Sequence, residues 1–149
     1  MMFLEYFIWG AWYVTAGTYM ATILSSSGTE IGNTYSAFAI ATIISPFFIG
    51  SIADRYFSAE KVMGILHIIG GLLLLYATQV NSSFTFLIIV LVYSIVYMPT
   101  VALSNNIVFS NVTDTGKVFP IIRFFGTFWW IVAGFIIGKL QLESNASTL

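Results

Sequence analysis

Long apolar runs separated by short polar breaks set the pattern of this 149-residue chain. A helix needs roughly 20 apolar residues to cross a bilayer. The breaks divide the chain into five such stretches, at about residues 3–24, 31–53, 62–80, 84–109 and 118–140. The first break is Ser25-Ser26-Ser27-Gly28-Thr29-Glu30, the second is the charged stretch 54–61, and the third is Asn81-Ser82-Ser83. The fourth is 110–117, and a polar tail follows the last stretch. The pattern predicts an all-α integral membrane bundle of about five transmembrane helices, with short links that make consecutive helices antiparallel neighbours. A first span that starts almost at Met1 and a tail that stops soon after the fifth predict the front of something larger.

Composition narrows the class. Hydrophobic residues make up 58% of the chain and charged residues only 7%, against about 25% charged in soluble domains. There is no cysteine and one histidine, His67. That excludes a disulfide framework, thiol catalysis and Cys-based zinc sites. No basic run points to nucleic acid. The N-terminus lacks a basic lead-in, and its apolar stretch is too long for a signal peptide. The spans hold no nucleophile–base pair, paired carboxylates or metal cluster, so a non-enzymatic protein without a cofactor is expected. Arg55, Lys61 and Lys117 fall in loops on one side, and only Lys139 on the other. The positive-inside rule then places those loops and the N-terminus in the cytoplasm of a multi-pass inner or plasma membrane protein.

With so few charges, each position carries information. "FPIIRFFGTFWW", Phe119–Trp130, holds one charge, Arg123. A guanidinium stays ionised, and a charge at the bilayer centre costs about 2.5–3.5 kcal/mol on insertion scales. Thr127 and Trp130 fall on the same helical face, four and seven residues on, and Gly134 extends it. A guanidinium, a hydroxyl and an indole suit a flat polar ligand. Snorkelling of Arg123 to the headgroups beside an interfacial aromatic belt is the open alternative.

The first span carries a stripe of Glu5, Trp9, Trp12, Ala16 and Tyr19 at spacings of three and four. It reads as a pathway wall or, slightly preferred, as lipid-facing and interfacial aromatics. Glu5 is the only acid within a span. It is a possible proton-linked group, although its place near the chain start predicts a position at the membrane surface. Pro46 and Pro99 predict kinks. Gly64, Gly70 and Gly71 predict tight helix packing, and His67 a structural hydrogen bond. Asn105 and Asn106 predict hydrogen bonds to neighbouring helices. In "GSIADRYFSAEK", Gly50–Lys61, Asp54 can cap a neighbouring helix through its backbone donors, with Gly50 permitting close approach; a solvated charged turn is the alternative.

That loop resembles the signature between the second and third helices of major facilitator superfamily transporters, G-x-x-x-D-R-x-G-R-R/K. Gly50, Asp54 and Arg55 match, while the second glycine and most of the basic cluster are missing. "FIWGAWYVTAGTYM", "SIADRYFSAEKVMGILHIIGG", "YMPTVALSN" and "FPIIRFFGT" follow in order and together resemble the nucleoside:proton symporter branch of that superfamily. The resemblance implies part of the N-terminal six-helix half of a twelve-helix transporter, with the C-terminal half as the missing partner. It implies proton-coupled nucleoside transport by alternating access. It places Arg123 at the substrate-binding arginine of the F-P-x-I-R-x-x-G-T motif, Thr127 at its threonine, and Trp130 at an aromatic substrate contact. Gly50, Asp54 and Arg55 take the gating role. A facilitator for another small solute, such as a sugar or drug, and a non-transporting membrane scaffold are the alternatives.

Overall fold

The computed structural model of the protein describes residues 1–56 and 58–140, with residues 46 and 48–56 described by their backbone alone. Five helices account for nearly all of it: α1 (Met2–Thr22), α2 (Gly28–Tyr56), α3 (Ala59–Ala77), α4 (Ser83–Asn111) and α5 (Thr115–Lys139). Three of them, α3, α4 and α5, are long and apolar enough to cross a membrane by length and composition. In α1, Glu5 and a high content of tryptophan, tyrosine and glycine dilute the aliphatic signal.

The helix ends differ from the polar breaks for local reasons. α2 begins three residues earlier than expected because Ser27 and Glu30 form a capping box. The Ser27 amide donates to Glu30 Oε2 at 2.7 Å, and the Glu30 amide donates to Ser27 Oγ at 3.3 Å. At its other end α2 runs on to Tyr56, so Gly50, Asp54 and Arg55 lie on helical backbone and not in a loop. α5 is capped at its start by Asp114, whose side chain accepts from the Lys117 amide at 3.3 Å.

α4 lies at the centre, packed against α2 on one side and α3 on another, while α1 packs chiefly along α5. The main core gathers Trp12, Ala16 and Tyr19 of α1, Phe38 of α2, Leu74 of α3, and Phe86, Tyr93 and Tyr97 of α4. The α1 stripe therefore faces the bundle interior. Glu5, Trp12, Ala16 and Tyr19 are each 3% exposed or less, which corrects the lipid-facing reading. The physical reason is shape: lipid tails offer no gain for apolar burial, so interlocking rings are better used against other helices. Trp12 meets Tyr93 edge-on at 5.0 Å and Phe38 at 5.7 Å, and Tyr93 stacks on Tyr97 at 5.1 Å. Such pairs contribute about 0.5–1.5 kcal/mol each beyond area burial.

Two glycines bring α1 and α5 together. A Cβ on Gly10 would lie 2.5 Å from the Trp130 carbonyl oxygen, and one on Gly126 would lie 3.0 Å from the Tyr6 ring. The glycines of α3 divide: Gly70 lies against Tyr93, whereas Gly64 and Gly71 face open space and serve no tight contact.

Candidate functional site

The α1–α5 contact positions the residues that the sequence singles out. Thr127 and Trp130 of α5, with Tyr6 and Trp9 of α1, line a cleft of about 220 Å³. Arg123, one turn before Thr127, is half-buried and meets the cleft through Tyr6. Its guanidinium carbon lies over the Tyr6 ring, 4.9 Å from the centroid. Nη1 donates a long hydrogen bond of 3.4 Å to Asn105 Oδ1 of α4. The guanidinium thus has an aromatic face and an amide oxygen from two other helices. Thr127 Oγ1 donates to the Arg123 carbonyl at 3.3 Å, a back-bond that it can exchange for a ligand. The Trp9 indole nitrogen is buried without a hydrogen-bond partner. An unsatisfied buried donor is costly, and it belongs to a residue that lines the cleft.

Tyr6 is the part of this site that sequence reasoning missed, whereas Trp9 belongs to the α1 stripe that the sequence offers as a pathway wall. Tyr6 adjoins the Glu5 stripe but lies off its main face. The signal was present in Gly126, since a glycine one residue before Thr127 leaves room for a ring from another helix. Asn105 does bond a neighbouring helix, and its partner is the arginine itself.

Glu5 is not at the surface. It is 1% exposed, and Thr100 Oγ1 donates to its Oε1 at 2.8 Å. Tyr97 donates from its hydroxyl to the Glu5 backbone oxygen at 2.6 Å. α4 therefore supplies two hydroxyl donors where the sequence alone predicts water and headgroups. Ser104 lies nearby but donates to the Val101 carbonyl at 2.9 Å, and Glu5 Oε2 has no partner. Glu5 also lines a second cavity, of about 340 Å³, between α1, α3 and α4, together with His67, Glu60 and Met63. His67 Nδ1 bonds the Met63 carbonyl at 2.8 Å. A carbonyl only accepts, so Nδ1 carries hydrogen and Nε2 is left for other chemistry. The side chains of Gly50, Asp54 and Arg55, and any contact that they make, lie outside the described residues.

The described residues form an all-helical bundle with helices long and apolar enough to cross a membrane and with charged and aromatic side chains gathered between them. The solved structure of the nucleoside transporter NupG, in a point-mutant form, superposes on 99% of this chain with a TM-score of 0.91 at 33% identity. The fold is thus part of the N-terminal six-helix half of a major facilitator fold. The chain belongs to the nucleoside H+ symporter family, whose sequence profile matches residues 1–148. It is 47% identical over 140 residues to the putative nucleoside transporter YegT of Escherichia coli K12, covering 94% of this chain and 33% of that protein. It is 39% identical to the xanthosine permease of the same organism, covering 100% of this chain and 37% of that protein. It is 36% identical to the nucleoside permease NupG of that organism, covering 99% and 38%. The chain thus spans roughly a third of the length of these relatives. These relatives are transporters, not enzymes.

Proposed function

We propose that this chain forms part of a transporter that carries nucleosides across the inner or plasma membrane with protons, by alternating access, with its N-terminus in the cytoplasm. The observation that carries the reading is the Arg123–Tyr6 pair beside the Trp9–Thr127–Trp130 cleft. A nucleoside presents ribose hydroxyls, base edges and a flat aromatic face. The guanidinium supplies donors, Thr127 both donates and accepts, and Trp130 offers a stacking surface. The charge of Arg123 is tolerated because the cleft admits water and Asn105 accepts one of its hydrogens. The cleft is one wall of the site, and the opposing wall belongs to the remainder of the transporter. In this reading Gly50, Asp54 and Arg55, at the cytoplasmic end of α2, take part in gating.

The test is competition for uptake of labelled uridine by cells expressing the complete encoded chain. Nucleosides are expected to compete, and free bases and sugars to do so at least about tenfold less well, the equivalent of 1.4 kcal/mol. Equal competition by a sugar would overturn the reading.

A further inference from the structure

The chemistry around Glu5 is separate from the nucleoside cleft but joined to it through the next residue. Glu5 is a carboxyl group buried in the α1–α4 contact and lining a cavity, with one oxygen 2.8 Å from the Thr100 hydroxyl, which it shares with the Tyr97 carbonyl at 2.6 Å, and the other oxygen unpartnered. A buried carboxylate with a free oxygen is costly, and protonation removes that cost. Neighbouring groups on each described element are few. α5 contributes Arg123, and α3 contributes His67, which acts on Glu5 electrostatically, and Glu60, which shares its cavity. α4 contributes Tyr97 and Tyr93, and α1 itself adds Tyr6. From α2, Asp54 and Arg55 lie on the last turn, their side chains outside the described residues. None of these is within salt-bridge distance of Glu5 among the described residues.

We propose that Glu5 is the proton-binding group of this half of the transporter, with His67 as the relay that faces the same cavity. This rests on the proton-coupled reading above and gives it a residue. The proton arrives from water in the cavity at His67 Nε2, passes to Glu5 Oε2, and neutralises the carboxylate. It leaves by the reverse transfer when the opposite side opens. No other bond is made or broken. Coupling to the nucleoside follows from position. Glu5 and Tyr6 are consecutive on the first turns of α1, Glu5 fixed to α4 and Tyr6 to Arg123 of α5. A change of charge at Glu5 alters its grip on Thr100, and the shift of α1 carries Tyr6 with it.

The test uses the complete encoded chain in lipid nanodiscs and proteoliposomes. Infrared difference spectra taken on a pH step without nucleoside are expected to show a protonated-carboxyl band. That band should vanish in Glu5→Gln and shift in Glu5→Asp, which identifies it even where the glutamine variant folds poorly. With a one-unit pH gradient and one proton per nucleoside, the unaltered protein accumulates uridine about tenfold. Glu5→Gln is expected to exchange uridine between equal pools and to accumulate none. His67→Gln is expected to slow proton-driven uptake and leave the exchange rate unchanged. Persistence of the band in Glu5→Gln, or tenfold accumulation by it, would overturn the proposal. So would joint loss of exchange and binding, which marks Glu5 as a packing residue. A Glu5 band in a protein that does not bind nucleosides would uphold the proton site and sink the nucleoside reading alone.

Discussion

The guanidinium of Arg123 lies over the ring of Tyr6, 4.9 Å from its centroid, and this contact ties the mid-helix charge of α5 to the first turns of α1. A cation held against a ring face contributes about 0.5–1 kcal/mol at an exposed site and more when desolvated. Tyr6→Leu removes the ring and keeps an apolar side chain. It is expected to raise the half-saturating uridine concentration by about two- to fivefold, while Tyr6→Phe stays near the starting value. Uptake kinetics on matched membrane expression check this. Equal effects of the two substitutions would show that the ring face does not matter.

Gly10 and Gly126 set how closely α1 approaches α5. A side chain at Gly10 would press on the Trp130 backbone, which cannot move aside as a flexible tip can. Overpacking of this kind costs about 1–3 kcal/mol. Gly10→Val is therefore expected to lower the melting temperature of the purified protein. Gly134→Ala, whose new carbon would lie at an ordinary 3.7 Å from Val14, is expected to be neutral. Both are read by thermal unfolding in detergent, and equal melting temperatures would refute the close-contact account.

Tyr35 links α2 to α1 through one hydroxyl, which donates to the Tyr13 carbonyl at 2.9 Å and accepts from the Gly17 amide at 3.0 Å. Losing a bond of this kind costs about 0.5–1.5 kcal/mol. Tyr35→Phe deletes the hydroxyl and keeps the ring contact with Tyr13. A loss of about 1–2 kcal/mol in unfolding free energy is expected, with uptake at low temperature little changed.

The capping box of α2 gives a pH signature at an exposed site. The Ser27 backbone amide, and then its hydroxyl, hold the Glu30 carboxyl below the ordinary value of 4.5. A depressed folded-state value adds stability above the unfolded value, and the gain is lost as pH falls through the folded one. Hydrogen exchange of the first-turn amides of α2, relative to Glu30→Gln at each pH, is expected to show protection at neutral pH. That difference closes under acid conditions below 4.5. A constant difference at all pH values would contradict the assignment.

The helices were legible because a membrane span must be a long apolar run. Their ends were less so. The Ser27–Glu30 box is written in the sequence as S-x-x-E, inside a stretch whose polarity alone marks a break and not a helix start. The α1 stripe had the right spacing and the wrong direction, because apolar periodicity does not distinguish lipid from a neighbouring helix when both are apolar. Glu5 shows the harder limit. Its hydroxyl partner on Thr100 is 95 residues away, and nothing near residue 5 announces it. Tyr6 is hidden for a related reason: its role depends on Arg123, more than a hundred residues along the chain on α5. For Arg123, Thr127 and Trp130 the spacing on one helix was enough to group them, since a single helix fixes which residues share a face.

The central claim is that Arg123 holds the nucleoside from the α5 side of the cleft, and equilibrium binding tests it most directly. Labelled uridine is titrated onto the purified, complete encoded chain carrying Arg123 or Arg123→Ala, with thermal unfolding as the check on folding. Hydrogen bonds to a charged group contribute about 1.5–3 kcal/mol, so the alanine variant is predicted to bind uridine about ten- to a hundredfold more weakly, with its fold intact. Unchanged affinity in a folded Arg123→Ala protein would contradict the account.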